Sequence, residues 1–452
     1  MIVLKFGGTS VGSAKNIKKV VEIITGLKEQ KIIVLSAVSG TTNSLVDIYK
    51  TINKKEIQHS LVLISDLEVT YLSLINELFV TKNYQQKAND FVLEKFNFLR
   101  KLTKNAANLL LENTMVAQGE LLSTNLVQLY LEESEVSSTL ISALDFMEVN
   151  KDNEPDISKI KGKIIPIINQ KPKETTWITQ GFICKNKIGE FSNLQRGGSD
   201  YTASLIGAAI NAKEIQIWTD IDGMHNNDPR FVENTFSIEE ISFDEAAELA
   251  YFGAKILHPQ SLIPAKENNI PVLLKNTFNP VSKGTIIKNK TVNKGFTAVA
   301  AKDGITAIKI KSYRMLMAYG FLKKVFEVFE NNQTPIDMIT TSEVAISLTI
   351  DDISYLSKII SELEPFGKIQ IDSDLSIICV AGDFSQKKEG VTAQVFNSLK
   401  GIPVRMISYG GSNYNISLLV KSTHKIAALN SLNQGLFKEK YLLSEAIETL
   451  ED

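Results

Sequence analysis

The feature that most constrains the fold is an alternation of short apolar runs with longer amphipathic segments over residues 1 to about 290. IVLKF (2–6) and KIIVLSAV (31–38) are continuous apolar runs, so we predict buried strands there. Residues 14–28 place their apolar side chains on one stripe, which predicts an amphipathic helix. Apolar strands that alternate with helices indicate a parallel or mixed sheet covered on both faces.

More elements of the same kind follow in this part of the chain. Residues 57–80 and 86–111 have helical patterns without a strong internal turn signal. Five further apolar segments are predicted as strands: STLISALDF (138–146), GKIIPIINQ (162–170), TWITQGFIC (176–184), EIQIWTDI (214–221) and IPVLLKN (270–276).

An internal repeat distinguishes the rest of the chain. After a polar, basic segment (288–295) that is typical of a linker, residues 320–350 align with residues 390–420. Each segment contains a helix, a turn and two strands that form a hairpin, with a candidate strand before it and a helix after it. The shared order at a nearly constant offset favours duplication of a small βαββαβ module over chance similarity.

Composition and charge exclude several classes of protein. A formal net charge of −2 lacks the basic excess of a nucleic-acid binder. No apolar run approaches the roughly 20 residues of a membrane helix, and the N-terminus does not resemble a signal peptide. Cys184 and Cys379 lack CxxC spacing, which favours two buried thiols in a reducing compartment. The four histidines are dispersed, so we expect no zinc cluster. We therefore expect a cytoplasmic protein without nucleic-acid or membrane partners.

Two Gly-Gly turns give the first chemical signal. KFGG (5–8) ends the first predicted strand and is equally compatible with a simple tight turn and with an anion site at a following helix N-terminus. Arg196 precedes a second Gly-Gly pair, after which Ser199 and Asp200 open an apolar helix. Capping of the helix N-terminus explains either Ser199 or Asp200, but not both. The two glycines together with Arg196 favour a second anion site, which would bind a carboxylate.

Further candidates lie at strand and helix ends. The predicted strand at 214–221 carries Thr219 and Asp220 near its end, and the loop that follows carries Asp222, Asp228 and Arg230. Acidic loop residues usually form turns, but this set also suits a nucleotide with Mg²⁺ at the carboxyl edge of a sheet. Three more locations are compatible with helix capping alone: the turn SGTTN (39–43), Lys255 at a helix end and Glu120 at a helix start.

Taken in order, the motifs resemble those of the aspartate kinase family, in its monofunctional, lysine-sensitive form. They are KFGGTSV, VLSAVSGTTN, RGGSDYTA, WTDIDG with DPR, FGAKILHP and ITTSEVAISLTID, and they extend from residue 2 to about 420. The resemblance implies a three-layer αβα amino acid kinase sandwich followed by two α+β ACT (βαββαβ) modules. The expected boundaries are 1–295 for the kinase domain, 304–378 for the first module and 379–452 for the second, which the strand near 304–311 would complete.

The same resemblance implies a reaction. The β-carboxylate of L-aspartate takes the γ-phosphate of ATP to give 4-phospho-L-aspartate, the first step of lysine, threonine and methionine biosynthesis, with ATP and Mg²⁺ as cofactors. By motif, Lys5 neutralises the transferring phosphoryl group and Asp200 holds Lys5, while Gly7 and Gly8 offer N–H groups to the phosphate. The residues implied around ATP are Lys5, Phe6, Gly7, Gly8, Thr219, Asp220, His225, Arg230, Lys255 and Ile256. Those implied around aspartate are Ser36, Thr42, Glu120 for the ammonium, Arg196 for the α-carboxylate, and Ser199.

An effector site is implied in the ACT modules. Its residues are Met315, Gly320, Phe321, Leu322, Asp337, Ser342 and Glu343. Free lysine is favoured because it needs two counter-charges, which Asp337 and Glu343 supply, whereas threonine needs one and stays open. We expect a homodimer or higher oligomer through these modules, and the alternative is that they serve dimerisation alone.

Two other functions compete with this interpretation. One is a kinase of the same fold that phosphorylates glutamate or a nucleoside monophosphate, which Arg196 and Glu120 disfavour because together they suit an α-amino acid. The other is an amino-acid sensor with an inactive kinase domain, which the presence of Lys5, Arg196, Asp200 and Asp220 disfavours. The chain length of 452 residues leads us to expect no fused dehydrogenase.

Overall fold

The fold is described from a computed structural model. It describes residues 1–194, 197–253, 257–291, 295–312, 319–384 and 390–451, with the backbone alone from residue 439 onward. The chain forms two compact units: Met1–Met224 with Leu257–Lys290, and His225–Ile256 with Thr291–Asp452. The expected single boundary near residue 295 therefore differs from the observed division, because the segment 225–256 belongs to the second unit.

The first unit contains nine strands and ten helices among its described residues, numbered along the chain. The strands are β1 (Ile2–Phe6), β2 (Lys31–Leu35), β3 (Thr139–Leu140), β4 (Thr176–Gln180), β5 (Ile183–Lys185), β6 (Phe191–Asn193), β7 (Ile215–Thr219), β9 (Val272–Asn276) and β10 (Thr285–Lys288). The helices are α1 (Ala14–Gly26), α2 (Thr41–Asn53), α3 (Ile57–Leu78), α4 (Lys82–Leu102), α5 (Leu109–Val116), α6 (Gln118–Glu133), α7 (Ala143–Phe146), α8 (Ile157–Asn169), α9 (Gly198–Ile210) and α11 (Pro259–Glu267).

Seven strands of this unit lie in one sheet in the order β3-β4-β2-β1-β7-β9-β10. All neighbours are parallel except β10, which runs antiparallel to β9. Leu4 and Phe6 share a core with α1 to α6, while α9 packs against β1, β2 and β7. The predicted mixed sheet with helical cover is confirmed.

Three sequence-based element predictions in this unit are wrong. Residues 162–170 form part of helix α8, because Asp156 caps its N-terminus and isoleucines four residues apart turn inward. The predicted helix 86–111 ends at Leu102, and the side chain of Asn108 accepts the Leu111 N–H to start α5. Of 138–146 only β3 is a strand, and α7 follows it.

The second unit contains seven strands and five α-helices in its described part. The strands are β8 (Glu240–Ser242), β11 (Gly295–Lys311), β12 (Ile339–Thr341), β13 (Ala345–Ile350), β14 (Lys368–Asp383), β15 (Val404–Tyr409) and β16 (Asn415–Lys421). The helices are α10 (Phe243–Tyr251), α12 (Phe321–Asn331), α13 (Leu356–Leu363), α14 (Val391–Ser398), α15 (Lys425–Glu451), and the short 3₁₀ turns are Glu364–Phe366 and Ser422–His424.

Two long strands join the two halves of a six-stranded antiparallel sheet, in the order β12-β13-β11-β14-β16-β15. Residues 306–311 of β11 pair with β13, whereas residues 295–302 pair with the second half of β14. The hairpins β12–β13 and β15–β16 confirm the predicted duplication. The strand that completes the second module is 295–302, not 304–311, because an irregularity at Gly304 (φ +77°) divides β11 in two.

Two further observations concern classes considered from the sequence. Cys184 and Cys379 are both buried and free, as predicted. Within the described residues, no helix combines the length and apolar character needed to cross a membrane.

Candidate functional site

A cavity lies at the carboxyl edge of the parallel strands in the first unit. The register aligns Phe6 of β1 with Leu35 of β2 and Trp218 of β7, so the loops after these strands leave the sheet at one level. Such an edge is where ligands bind in α/β sheets. The cavity has a volume of about 430 Å³ and is lined by Gly8, Thr9, Ser36, Ala37, Val38, Ser39, Gly40, Thr42, Glu120, Phe182, Gly198 and Ser199.

Lys5 and Asp200 form an ion pair beside this edge. Lys5 Nζ lies 2.7 Å from Asp200 Oδ1, and the two side chains are 12% and 15% exposed. Lys5 lies one residue before the end of β1, and Asp200 stands in the first turn of α9. The partly exposed pair fixes an ammonium close to the strand end, where it can attract a phosphate.

The two glycines that follow β1 have different surroundings. The Gly7 N–H donates to the carbonyl of Trp218 in β7 at 3.2 Å. The prediction that this N–H donates to a phosphate is therefore wrong, because the N–H is already hydrogen-bonded within the sheet. A Cβ at Gly8 would lie 3.1 Å from the carbonyl oxygen of Ala37. Gly8 therefore allows the loops after β1 and β2 to approach closely, and it lines the cavity.

Two serines from different loops meet in the cavity wall. Ser36 Oγ donates to Ser199 Oγ at 2.9 Å, which joins the end of β2 to the start of α9. A Cβ at Gly181, directly after β4, would lie 2.4 Å from Ser199 Cβ and Oγ, so only glycine fits there. Sequence reasoning missed Gly181 and the neighbouring Phe182. The signal for both was a glycine inside the run 176–184, where it could end a strand early.

Glu120 is the acidic group of the cavity. It stands in the first turn of α6 and is 3% exposed. Its Oε1 accepts the Ala37 N–H at 3.4 Å, whereas its Oε2 is buried without a hydrogen-bond partner in the described part of the chain. Burial raises the pKa of Glu120 to about 8, although main-chain N–H groups of Glu120 and Ala37 oppose the shift.

The turn before α2 forms another part of the cavity wall. Gly40 has φ +84°, a conformation that favours glycine, and the helix starts at Thr41. Thr41 Oγ1 lies 2.9 Å from the hydroxyl of the buried Tyr71, while Thr42 lines the cavity. The side chain of Tyr71 on α3 therefore anchors the turn from behind.

The residues proposed for ATP in this unit lie at the ends of β1 and β7. Thr219 Oγ1 donates to Asp220 Oδ1 at 3.1 Å, and Asp220 is exposed. The Phe6 ring is fully buried and stacks on Trp218 with ring centroids 5.7 Å apart. Phe6 therefore offers a ligand its main chain alone.

Other sequence-predicted residues belong to the second unit or fall outside the description. In the second unit, His225 Nδ1 lies 3.1 Å from Thr235 Oγ1. Arg230 forms a bidentate pair with Asp228, in which Nε donates to Oδ1 at 2.9 Å and Nη2 donates to Oδ2 at 2.6 Å. The Arg230 side chain is 78% exposed. Four predicted residues lie outside the described residues: Arg196, Lys255, Ile256 and Met315.

Asp337 is the central acidic group among the candidate effector residues. Its side chain is 1% exposed, and its Oδ1 lies 2.6 Å from Lys302 Nζ and accepts the Tyr251 hydroxyl at 3.1 Å. Lys302 Nζ also lies 2.8 Å from Asp351 Oδ2. Burial raises the pKa of Asp337, and Lys302 opposes this shift. Sequence reasoning missed Lys302, which lies on β11 four residues before Thr306, the partner of Ile350 at the end of β13.

The remaining effector candidates surround two turns. Gly320 has φ +78° and precedes α12, in which Phe321 and Leu322 are the first residues. Ser342 and Glu343 are exposed in the turn between β12 and β13, where the Ser342 N–H donates to the Ala345 carbonyl at 2.8 Å.

This geometry suits transfer of a charged group better than metal or nucleophile chemistry based on cysteine or histidine. Within the described residues, no group of three or more His, Cys, Asp or Glu side chains is arranged to hold a metal ion. The cavity instead combines the buried carboxyl of Glu120 with five hydroxyl side chains, and the Lys5 ammonium lies near its edge. These groups can position an amino acid and neutralise a phosphate.

Comparisons with known proteins agree with this geometry. Residues 1–276 match the model of the amino acid kinase family, and residues 378–436 match an ACT domain. The chain is 33% identical to the lysine-sensitive aspartokinase 3 of Escherichia coli over 97% of this chain and 99% of that protein. It resembles the crystal structures of E. coli aspartokinase III with lysine and aspartate (TM-score 0.82, 32% identity, 97% of this chain and 99% of that chain) and with aspartate and ADP (TM-score 0.81, 32% identity, 97% and 100%).

Proposed function

Because this chain belongs to the aspartokinase family, we propose that it transfers the γ-phosphoryl group of ATP to the β-carboxylate of L-aspartate. The products are 4-phospho-L-aspartate and ADP. The single observation that carries this proposal is the Lys5–Asp200 pair, 2.7 Å long, at the edge of a polar cavity beside the carboxyl ends of parallel strands.

The chemistry needs no general base. A side-chain carboxylate has a pKa near 4, so the attacking oxygen of aspartate is ionised at neutral pH. That oxygen bonds to the γ-phosphorus as the bond to the β-phosphate oxygen breaks. What the chain supplies is alignment and positive charge, and Lys5 is the group that stabilises charge on the transferring phosphoryl group. Asp200 is a positioning residue that holds the Lys5 ammonium.

In this proposal the chain binds the α-ammonium, the α-carboxylate and the side chain of aspartate. Glu120 takes the α-ammonium, and Arg196 takes the α-carboxylate through its guanidinium fork. Ser36, Ser199 and Thr42 complete the pocket. The buried Oε2 of Glu120 and its place in the cavity wall support the first of these roles.

The nucleotide lies toward the ends of β1 and β7 in this proposal, where Gly8, Thr219 and Asp220 contact it. Mg²⁺ in kinases is held mainly by phosphates and water, with one or two carboxylates, and the exposed Asp220 provides one. When bound, Mg²⁺ neutralises phosphate charge. Roles for His225, Arg230, Lys255 and Ile256 in contacting ATP stay predictions from the family resemblance, as does a cytoplasmic location.

Free lysine is the proposed effector, bound near α12 with the N–H groups of Gly320, Phe321 and Leu322 facing its carboxylate. Met315, Ser342 and Glu343 complete this site. Asp337 faces one ammonium of the effector lysine. Lys302 and Asp351 lie beside Asp337 in the same charged cluster. One lysine and two aspartates leave a net charge of −1 in this cluster, which favours a further cation. Binding shifts the protein to an inhibited state by differential affinity.

We also propose a homodimer through the ACT modules. The strand β15 supports it, because Ile407 and Tyr409 on this edge strand are 43% and 52% exposed. Light scattering of the purified protein measures the mass directly, and a monomer at micromolar concentration would contradict this part.

Trapping with hydroxylamine tests the function. The protein is incubated with ATP, Mg²⁺ and aspartate, and acyl phosphate appears as aspartyl hydroxamate. We expect hydroxamate, and we expect free lysine to suppress it. Parallel reactions with glutamate and a nucleoside monophosphate test the alternative kinases, and absence of any product with all acceptors would support the sensor instead.

A further inference from the structure

Glu120 is a buried acid for which the described part of the chain provides no matching cation. Its Oε1 accepts one main-chain N–H, and its Oε2 accepts none. No lysine, arginine or histidine among the described residues forms an ion pair with it. The carboxyl nevertheless borders a cavity of about 430 Å³, so a ligand can reach it.

Among the described residues, the groups around Glu120 leave its charge uncompensated. The elements packed against α6 are α2, α4, α5, β2, β3 and β4, and among their described residues none brings a charged side chain that shifts this carboxyl. Tyr71 of α3 is the titratable neighbour, and burial raises its pKa above the usual range, so its hydroxyl stays neutral. A buried carboxylate that lacks a cation is costly, and such a group keeps its proton instead.

On the basis of the proposed function, we propose that Glu120 is protonated in the free protein and loses its proton to the solvent when the α-ammonium of aspartate binds. The carboxyl O–H bond breaks, the proton passes to buffer, and the carboxylate forms an ion pair with the ammonium. Binding of one aspartate therefore releases one proton.

This coupling gives aspartate binding a defined pH dependence. The pKa of Glu120 in the free protein is about 8, so the ionised form that binds is the minor form at pH 7 and below. The affinity for aspartate then rises about tenfold for each pH unit below that value and levels off above it. The carboxylates of aspartate are already ionised in this range and do not contribute.

Calorimetry with the full-length protein tests the coupling. L-Aspartate is titrated at pH 7 into the protein in two buffers of different ionisation enthalpy, and the difference gives the protons released. We expect about one proton per aspartate for the natural chain and none for Glu120→Gln, which cannot ionise. The matched control Glu132→Gln changes an exposed glutamate on the same helix and should still release one.

Kinetics give a second readout. The KM for aspartate should fall about tenfold between pH 6 and pH 7 in the natural chain and stay flat, and high, in Glu120→Gln. Aspartate binding without proton release, in a protein that makes hydroxamate, overturns the coupling and leaves the proposed function intact. If aspartate neither binds nor reacts, the proposed function fails and the coupling fails with it. Should Glu120→Gln not fold, the proton count of the natural chain alone decides.

Discussion

The two units each contain a lysine–aspartate pair, and the pairs differ in composition. Lys5 and Asp200 in the first unit form a one-to-one pair at 2.7 Å with both side chains partly exposed. In the second unit, Lys302 faces two carboxylates, Asp337 at 2.6 Å and Asp351 at 2.8 Å, and the side chain of Asp337 is 1% exposed.

This difference in composition has a functional meaning. The first pair is neutral, and its lysine lies near a cavity, so the ammonium can turn toward an incoming phosphate. The second cluster keeps a net charge of −1 and attracts an ammonium instead. The same two residue types thus prepare one unit for an anion and the other for a cation, and four substitutions test this contrast.

The largest effect is expected for Lys5→Met, which removes the charge and keeps the length. Turnover should fall by about 10²–10³-fold, because an oriented cation no longer stabilises the phosphoryl group. Steady-state kcat is the measurement, and the melting temperature should change little. Lys15→Met, which changes an exposed lysine of α1, is the control and should retain full turnover. Ordinary turnover in Lys5→Met would remove Lys5 from the mechanism.

In the second unit, substitution of Lys302 should lower the stability of the protein. Lys302→Met leaves the buried Asp337 carboxyl with Tyr251 alone and should cost about 3 kcal/mol in the free energy of unfolding. The double variant Lys302→Met with Asp337→Asn should recover much of this loss, because no buried charge remains. Denaturant unfolding measures both. Lys323→Met on the exposed face of α12 should change stability by less than about 0.5 kcal/mol.

Asp337→Asn alone completes the cycle. If the loss in the double variant equals the sum of the two single losses, Lys302 and Asp337 act independently, and the charge contrast between the units is wrong.

A smaller effect is expected for Asp337→Asn on inhibition. Removing this charge should raise the concentration of free lysine that halves activity by about tenfold or more, with kcat unchanged. Inhibition curves at fixed substrate measure the shift. Asp352→Asn changes an exposed aspartate nearby and should leave the curve in place. An unchanged curve in Asp337→Asn would place the effector elsewhere.

The smallest effect is expected for Tyr71→Phe. It removes one hydroxyl that meets Thr41 at 2.9 Å and should cost about 1 kcal/mol of stability. The KM for aspartate should rise several-fold while kcat stays constant, because the turn that carries Thr42 loses its anchor. Tyr49→Phe on α2 is the matched control. A fall in kcat with constant KM would show a different role for this hydroxyl.

Local patterns in the sequence predicted much of the fold. The strand IVLKF, the helix after it and the repeated hairpins follow from periodicity, because their apolar residues fall on one face or fill a buried strand. The prediction of a strand over residues 162–170 is wrong because a short apolar run suits a buried strand and a buried helix equally well. Asp156, whose side chain caps the helix, was the missed signal.

The site was less accessible to sequence reasoning. Lys5 and Asp200 are 195 positions apart, and only the family motifs suggested their contact. Lys302 on β11 meets Asp337, 35 positions further along the chain, and no local pattern encodes that contact. The use of the Gly7 N–H by Trp218 likewise depends on which strand lies beside β1.

Phosphorus NMR tests the central claim most directly. The natural chain is mixed with ATP, Mg²⁺ and L-aspartate, and the spectrum is followed as ATP is consumed. The account predicts an acyl phosphate resonance that grows together with ADP and is absent with Lys5→Met. Formation of ADP and inorganic phosphate alone, with no acyl phosphate before or during ATP loss, would contradict it.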